Sequence, residues 1–88
     1  MEKITVFYLK NCPYCKQAIG FIDQLKHEEA YRRIKVVYID EQEHPEIADK
    51  MDYYYVPTFY LGDEKVHEGV TTLEDVKRIF DLYVAKIV

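Results

Sequence analysis

Two short runs rich in β-branched residues, Ile4–Leu9 and Ile34–Ile39, bracket a stretch whose apolar positions recur at intervals of three and four. Few folds accommodate that order. Each run is too brief for a helix and reads as a strand buried on both faces. Between them, from Pro13 onward, Cys15, Ala18, Ile19, Ile22 and Leu25 fall on one side, with Lys16, Asp23, Gln24 and His27 opposite. That is the period of an amphipathic helix. Two short strands joined by a crossover helix lie parallel with a right-handed connection, so the first forty residues are expected to form a βαβ unit.

The remainder adds four elements. Pro45 suits the first turn of a short helix reaching about Met51, because its missing amide would have had no intrahelical partner. Thr58–Leu61 and Lys65–His67 flank Gly62-Asp63-Glu64 and read as an antiparallel hairpin. Thr71 or Thr72 caps a last helix, with Glu74 or Asp75 completing a capping box. Leu73, Val76, Phe80, Tyr83, Val84 and Ile87 form its apolar stripe. The expected architecture is α/β: a four-stranded mixed sheet with helices on both faces. It forms one domain over residues 1–88, since so short a chain leaves no room for a second. Most of the nine tyrosines are expected to pack in the core or hairpin, and His27, His44 and His67 to lie at the surface.

Charge and hydropathy narrow the function. A net charge of −4 without long single-sign runs gives no electrostatic footprint for nucleic acid. No stretch approaches the roughly 20 apolar residues that span a bilayer, and the chain opens on a strand-like run rather than a signal peptide. No membrane association and a cytoplasmic location are therefore expected.

The chemistry concentrates in Cys12-Pro13-Tyr14-Cys15, where the first strand meets the first helix. A disulfide closing so short a loop constrains little of the unfolded chain, so these cysteines are read as reactive rather than stapling. With Cys12 at the N-cap and Pro13 at the first helical position, the Cys12 sulfur can accept the amide of Tyr14 or Cys15. Such acceptance favours a thiolate, and Lys10 and Lys16 add positive charge nearby. Cys15, three positions on and within the apolar stripe, is shielded yet able to reach Cys12. Cys12 is thus expected to attack a substrate disulfide and Cys15 to resolve the mixed disulfide. Tyr14 is expected to stand exposed beside Cys12 as a substrate contact.

Other uses of two cysteines fit less well. Packing as small hydrophobes leaves the exposed loop unexplained. Structural zinc wants four ligands, and the three histidines are dispersed, so no metal ligand is assigned. Two thiolates could carry copper, which is the alternative of a different class.

Cys12-Pro13-Tyr14-Cys15 resembles the active-site sequence of dithiol glutaredoxins, and the order of elements over nearly the whole chain matches the thioredoxin fold. Val56-Pro57-Thr58-Phe59 is similar to the segment that carries a cis-proline beside the active-site cysteines in that fold. The resemblance implies a cis Val56-Pro57 bond, a Val56 backbone that pairs with an extended substrate, and substrate contacts at Lys10, Tyr14, Val56, Pro57, Thr71 and Thr72. It implies a monomeric thiol-disulfide oxidoreductase acting on protein or small-molecule disulfides. No tightly bound cofactor is expected; the reductant is either glutathione, as co-substrate, or a flavoprotein reductase. An iron-sulfur cluster held by Cys12 of two copies is also permitted, although Pro13 disfavours it.

Three departures bear on glutathione. Leu9 stands where glutaredoxins carry a basic residue, with Lys10 one place later. Tyr55 replaces a threonine, and Glu68-Gly69 with Thr72 represents the usual Gly-Gly and aspartate. Glu68 puts an acidic side chain where an anionic tripeptide would approach the backbone, so it is expected to weaken glutathione binding. Pro45 through Met51 and the Val56-Pro57 segment are closer to thioredoxins, which a flavoprotein reductase reduces.

Overall fold

The computed structural model describes residues 3–87, with the Ile87 side chain outside that description. The chain runs β1 (Ile4–Tyr8), α1 (Pro13–Leu25), β2 (Val36–Asp40), α2 (Pro45–Ala48), β3 (Thr58–Leu61), β4 (Glu64–Glu68) and α3 (Leu73–Ile87). The sheet order is β2-β1-β3-β4, with β1 parallel to β2 and antiparallel to β3, and β3 antiparallel to β4. The predicted mixed sheet, βαβ unit and hairpin are therefore all present.

Strand alternation divides the apolar residues between the two faces. Ile4 and Val6 of β1, with Phe59 and Leu61 of β3, pack with Ala18, Ile22 and Leu25 of α1 and Val76, Ile79, Phe80 and Tyr83 of α3. Phe7 and Tyr60 point the other way and join Ala48 of α2 in a smaller cluster, flanked by Ile39, Met51 and Tyr53. The Ile87 position of the expected stripe lies outside the described side chains.

The structure corrects several boundaries. The second strand starts at Val36 rather than Ile34, and as an edge strand it is half-buried rather than covered on both faces. Ile34 is buried but belongs to the preceding loop. The short helix after Pro45 ends at Ala48, short of Met51. Between the two candidate caps, Thr72 is the one used: its Oγ1 accepts the Asp75 amide at 3.1 Å, and the Asp75 carboxylate accepts the Thr72 amide at 2.9 Å. Thr71 instead turns inward and donates to the Gly69 carbonyl at 2.8 Å.

The hairpin carries a detail that alternation alone does not anticipate. Tyr60 pairs with Lys65 but Phe59 pairs with His67, so Val66 is an extra residue and the strand is bulged there. Directly paired residues share a sheet face. Lys65 and Glu68, three apart, consequently fall on the face of their partners Tyr60 and Thr58, where an unbroken strand would have set them on opposite faces.

Gly20 lies in the interior of α1 at an exposed position, and an added Cβ there would meet no atom within 4 Å. Gly20→Ala is expected to stabilise the chain by about 0.5–1 kcal/mol through lower unfolded-state entropy. Thermal unfolding should show a Tm higher by about 2–8 °C.

Candidate active site

The first helix begins as its residue types demand. Cys12 is extended, with φ −92° and ψ 113°, Pro13 opens the helix, and the Cys15 amide donates to Cys12 Sγ at 3.2 Å. No acidic side chain occupies the first turn, so nothing there opposes negative charge on the sulfur. The Lys16 amide donates to the Cys12 carbonyl at 3.0 Å and closes the first helical turn.

The two cysteines are free thiols in unequal surroundings. Cys12 is half-buried, whereas Cys15 has no exposed surface and lies on the core side of α1. Burial pushes the Cys15 thiol up to about 12, assisted by its hydrogen bond with Cys12 and by the like charges of Cys12 and Glu41. A thiol far below its pKa remains protonated and unreactive. Iodoacetamide at pH 8 is therefore expected to alkylate Cys12 alone, with Cys15 labelling appearing only as pH approaches 12 or the chain is unfolded. Peptide mapping that finds both cysteines modified at similar rates at pH 8 would contradict this asymmetry.

A cleft of about 180 Å³ adjoins Cys12, lined by Leu9, Lys10, Asn11, Cys12 and Gln42. Lys10 does lie beside Cys12, but its Nζ donates to Glu43 at 2.6 Å, and that carboxylate raises the Lys10 pKa. The far wall is set by the buried Asp40, whose Oδ1 accepts the amides of Gln42 at 2.8 Å and Glu43 at 3.4 Å. This aspartate turn places both Gln42 and the partner of Lys10. Gln42 escaped the sequence reading, although an aspartate at a strand end followed by polar residues is a recognisable turn signal.

The second candidate segment approaches the same end of the sheet. Phe7 pairs with Thr58, so Val56-Pro57 lies beside the end of β1 that leads into Cys12. The Val56-Pro57 bond is cis, and Pro57 is fully buried. The Pro57 carbonyl accepts the Gly69 amide at 2.8 Å, and Thr58 Oγ1 donates to the Tyr55 carbonyl. Among the described residues, nothing hydrogen-bonds the Val56 backbone amide or carbonyl. Tyr14 is 54% exposed in the first turn of α1. Thr71 and Thr72 are both engaged within the fold, by Gly69 and Asp75 respectively.

Tyr53-Tyr54-Tyr55, just before Val56, divides between core and surface. Tyr53 alone turns inward, stacking on Phe7 with ring centroids 5.1 Å apart and donating its hydroxyl to Glu41 at 2.9 Å. Tyr54 and Tyr55 are 85% and 71% exposed. Their amides both donate to Glu68 Oε2, at 2.5 and 2.9 Å, while Lys65 Nζ donates to Glu68 Oε1 at 2.7 Å. Glu68 is therefore an internal clamp as well as an acidic group near the site. Nor is His67 a plain surface residue: it packs edge-on against Phe59 and sits 2.9 Å from the Val70 carbonyl.

A parallel βαβ unit, an antiparallel hairpin and a closing helix, with a dithiol at the head of the first helix and a cis-proline at the same sheet end, define a thioredoxin-like protein. The family model described as "Thioredoxin domain" matches residues 2–81, and the chain belongs to that family. Among solved structures, it is similar to the oxidised thioredoxin of Plasmodium falciparum, at 22% identity over 94% of this chain and 81% of that one, with a TM-score of 0.73. It is similar also to mitochondrial thioredoxin 3 of Saccharomyces cerevisiae, at 23% identity over 91% and 76%, with a TM-score of 0.72. A Malassezia sympodialis thioredoxin gives a TM-score of 0.76 at 16% identity, over 94% of this chain and 75% of that one. No curated protein matches the chain.

Proposed function

We propose that the chain is a thiol-disulfide oxidoreductase that reduces protein disulfides through a Cys12-Cys15 dithiol. The observation that carries this reading is the unequal pair: Cys12 is reachable at a helix N-terminus, and Cys15, buried and held protonated, stands one hydrogen bond behind it. The Cys12 thiolate attacks one substrate sulfur, forming a mixed disulfide and expelling the other sulfur as a thiolate that takes up a proton. Cys15 then attacks Cys12 Sγ while its proton passes to the departing substrate sulfur, which releases the second substrate thiol and leaves the Cys12-Cys15 disulfide. Two electrons have moved from the chain to the substrate, and an external dithiol or flavin must return them.

The resolving step explains the use of a buried thiol. As an isolated nucleophile Cys15 is poor at neutral pH, but within the mixed disulfide its target is adjacent, and proximity replaces intrinsic reactivity. The free Val56 amide and carbonyl offer an extended substrate segment a place to pair while its disulfide lies at Cys12.

The reductant we propose is a flavoprotein reductase of the thioredoxin type. Glu68 already takes the amides of Tyr54 and Tyr55 and the Lys65 ammonium, and Lys10 is engaged by Glu43, so these donors are occupied and do not favour an anionic tripeptide. The glutaredoxin-type alternative rests on Cys12-Pro13-Tyr14-Cys15 itself. Following free thiols after addition of glutathione or of a thioredoxin reductase with NADPH separates the two. Reduction of the Cys12-Cys15 disulfide is expected to be at least about tenfold faster with the flavoprotein system. Efficient turnover by glutathione would instead make the protein a glutaredoxin in function.

A further inference from the structure

One carboxylate connects two parts of the sheet end that the chain separates by more than a dozen residues. Glu68 Oε2 accepts the consecutive amides of Tyr54 and Tyr55, and Oε1 accepts Lys65 Nζ. The segment so held leads directly into Val56-Pro57, and the residue after Glu68 donates its amide to the Pro57 carbonyl. Gly69 makes that bond with φ +91°, a backbone region that L side chains rarely adopt, and Tyr55 Cβ is 4.0 Å from where a Cβ on Gly69 would lie. Three neighbours thus grip the strap: Glu68 takes the amides of Tyr54 and Tyr55, Thr58 the Tyr55 carbonyl, and Gly69 the Pro57 carbonyl. Val56, in the middle, keeps both backbone groups free.

The bulge at Val66 makes the clamp geometrically available. Without the extra residue, Lys65 and Glu68 would project from opposite faces, and Lys65 could not hold Oε1 while Oε2 meets the strap. Bulges that re-aim a side chain are common beside functional sites.

We propose that Glu68 is a positioning residue for substrate docking: by tying down Tyr54 and Tyr55 it holds the Val56 backbone in the extended form that an oxidised protein segment pairs with. This role rests on the oxidoreductase reading above. Lys65 first, then the two amides, hold the Glu68 carboxyl down to about 2, so the clamp stays charged throughout the range in which thiols react. Glu68 acts on the chemistry only through the strap, and its loss should weaken docking of a protein substrate far more than it slows attack on a small disulfide.

The test compares wild type, Glu68→Ala and Glu68→Gln in the reduction of insulin and of 5,5′-dithiobis(2-nitrobenzoate), together with amide exchange at Tyr54 and Tyr55. Glu68→Ala is expected to raise KM for insulin about tenfold, with a much smaller change in kcat and in the rate toward the small disulfide. Exchange at the two amides should accelerate at least about tenfold. Glu68→Gln keeps a side-chain oxygen and should restore KM to within about threefold of wild type. Unchanged exchange, an insulin KM within twofold of wild type, or equal losses toward both substrates would each overturn the role. A wild-type chain that leaves insulin oxidised would be a different failure, that of the oxidoreductase reading itself.

Discussion

Cys12→Ser is expected to lose disulfide reduction by at least about a thousandfold, because a serine hydroxyl supplies no nucleophile of comparable strength at neutral pH. Cys15→Ser should behave differently. Its Cys12 still attacks, since the helix N-terminus and the Cys15-position amide that donates to Cys12 Sγ are backbone features that the substitution leaves in place. The mixed disulfide then has no neighbouring thiol to resolve it, and the variant should accumulate as a covalent adduct with its substrate. Intact mass measured after mixing with insulin distinguishes the outcomes: an adduct for Cys15→Ser and none for Cys12→Ser. Adducts through Cys15 in the Cys12→Ser variant would reverse the assigned roles. Because Cys15 has no exposed surface and its thiol is pushed up to about 12, that reversal has no support in the geometry.

Phe80→Ala carries the largest expected effect on stability. Phe80 is fully buried on α3, in the cluster that joins α1 to the sheet through Ile22, Ile4, Val6 and Phe59, and its ring centroid lies 5.4 Å from that of Tyr31. Truncating a buried phenylalanine typically costs about 3–5 kcal/mol, from lost transfer energy and the cavity left behind. A chain of this length has only about 4–13 kcal/mol of total stability. Chemical denaturation should show that loss, and Tm should fall by at least about 12 °C. The same cluster seats the helix that carries both cysteines, so activity should disappear over the same temperature range as structure. A loss under about 1 kcal/mol would show that α3 contributes little to holding α1.

Local features of this chain show in its sequence, and long-range ones do not. Period and cap were legible: the stripe through Ala18, Ile22 and Leu25 faces the core, Cys12 caps α1, and Thr72 with Asp75 caps α3. These features are local, each set by residues within a turn of one another. What escaped depends on long-range pairing. Nothing in Lys65-Val66-His67-Glu68 announces a bulge, yet the bulge decides which face Glu68 occupies and therefore what its carboxylate reaches. The tyrosine triplet illustrates the same limit. Three consecutive tyrosines look alike in the sequence, but only Tyr53 has Phe7 to stack on, and the backbone amides of the other two, rather than their rings, are what the fold holds. Lys10 was legible as a neighbour of Cys12; its engagement by Glu43 depends on the aspartate turn at the end of β2.

An electron balance tests directly whether the Cys12-Cys15 pair reduces a substrate disulfide. Reduced wild-type chain is mixed with insulin, quenched with acid, alkylated and peptide-mapped. One Cys12-Cys15 disulfide is expected to form for each insulin disulfide reduced. Insulin left oxidised, with both thiols alkylated, would contradict it.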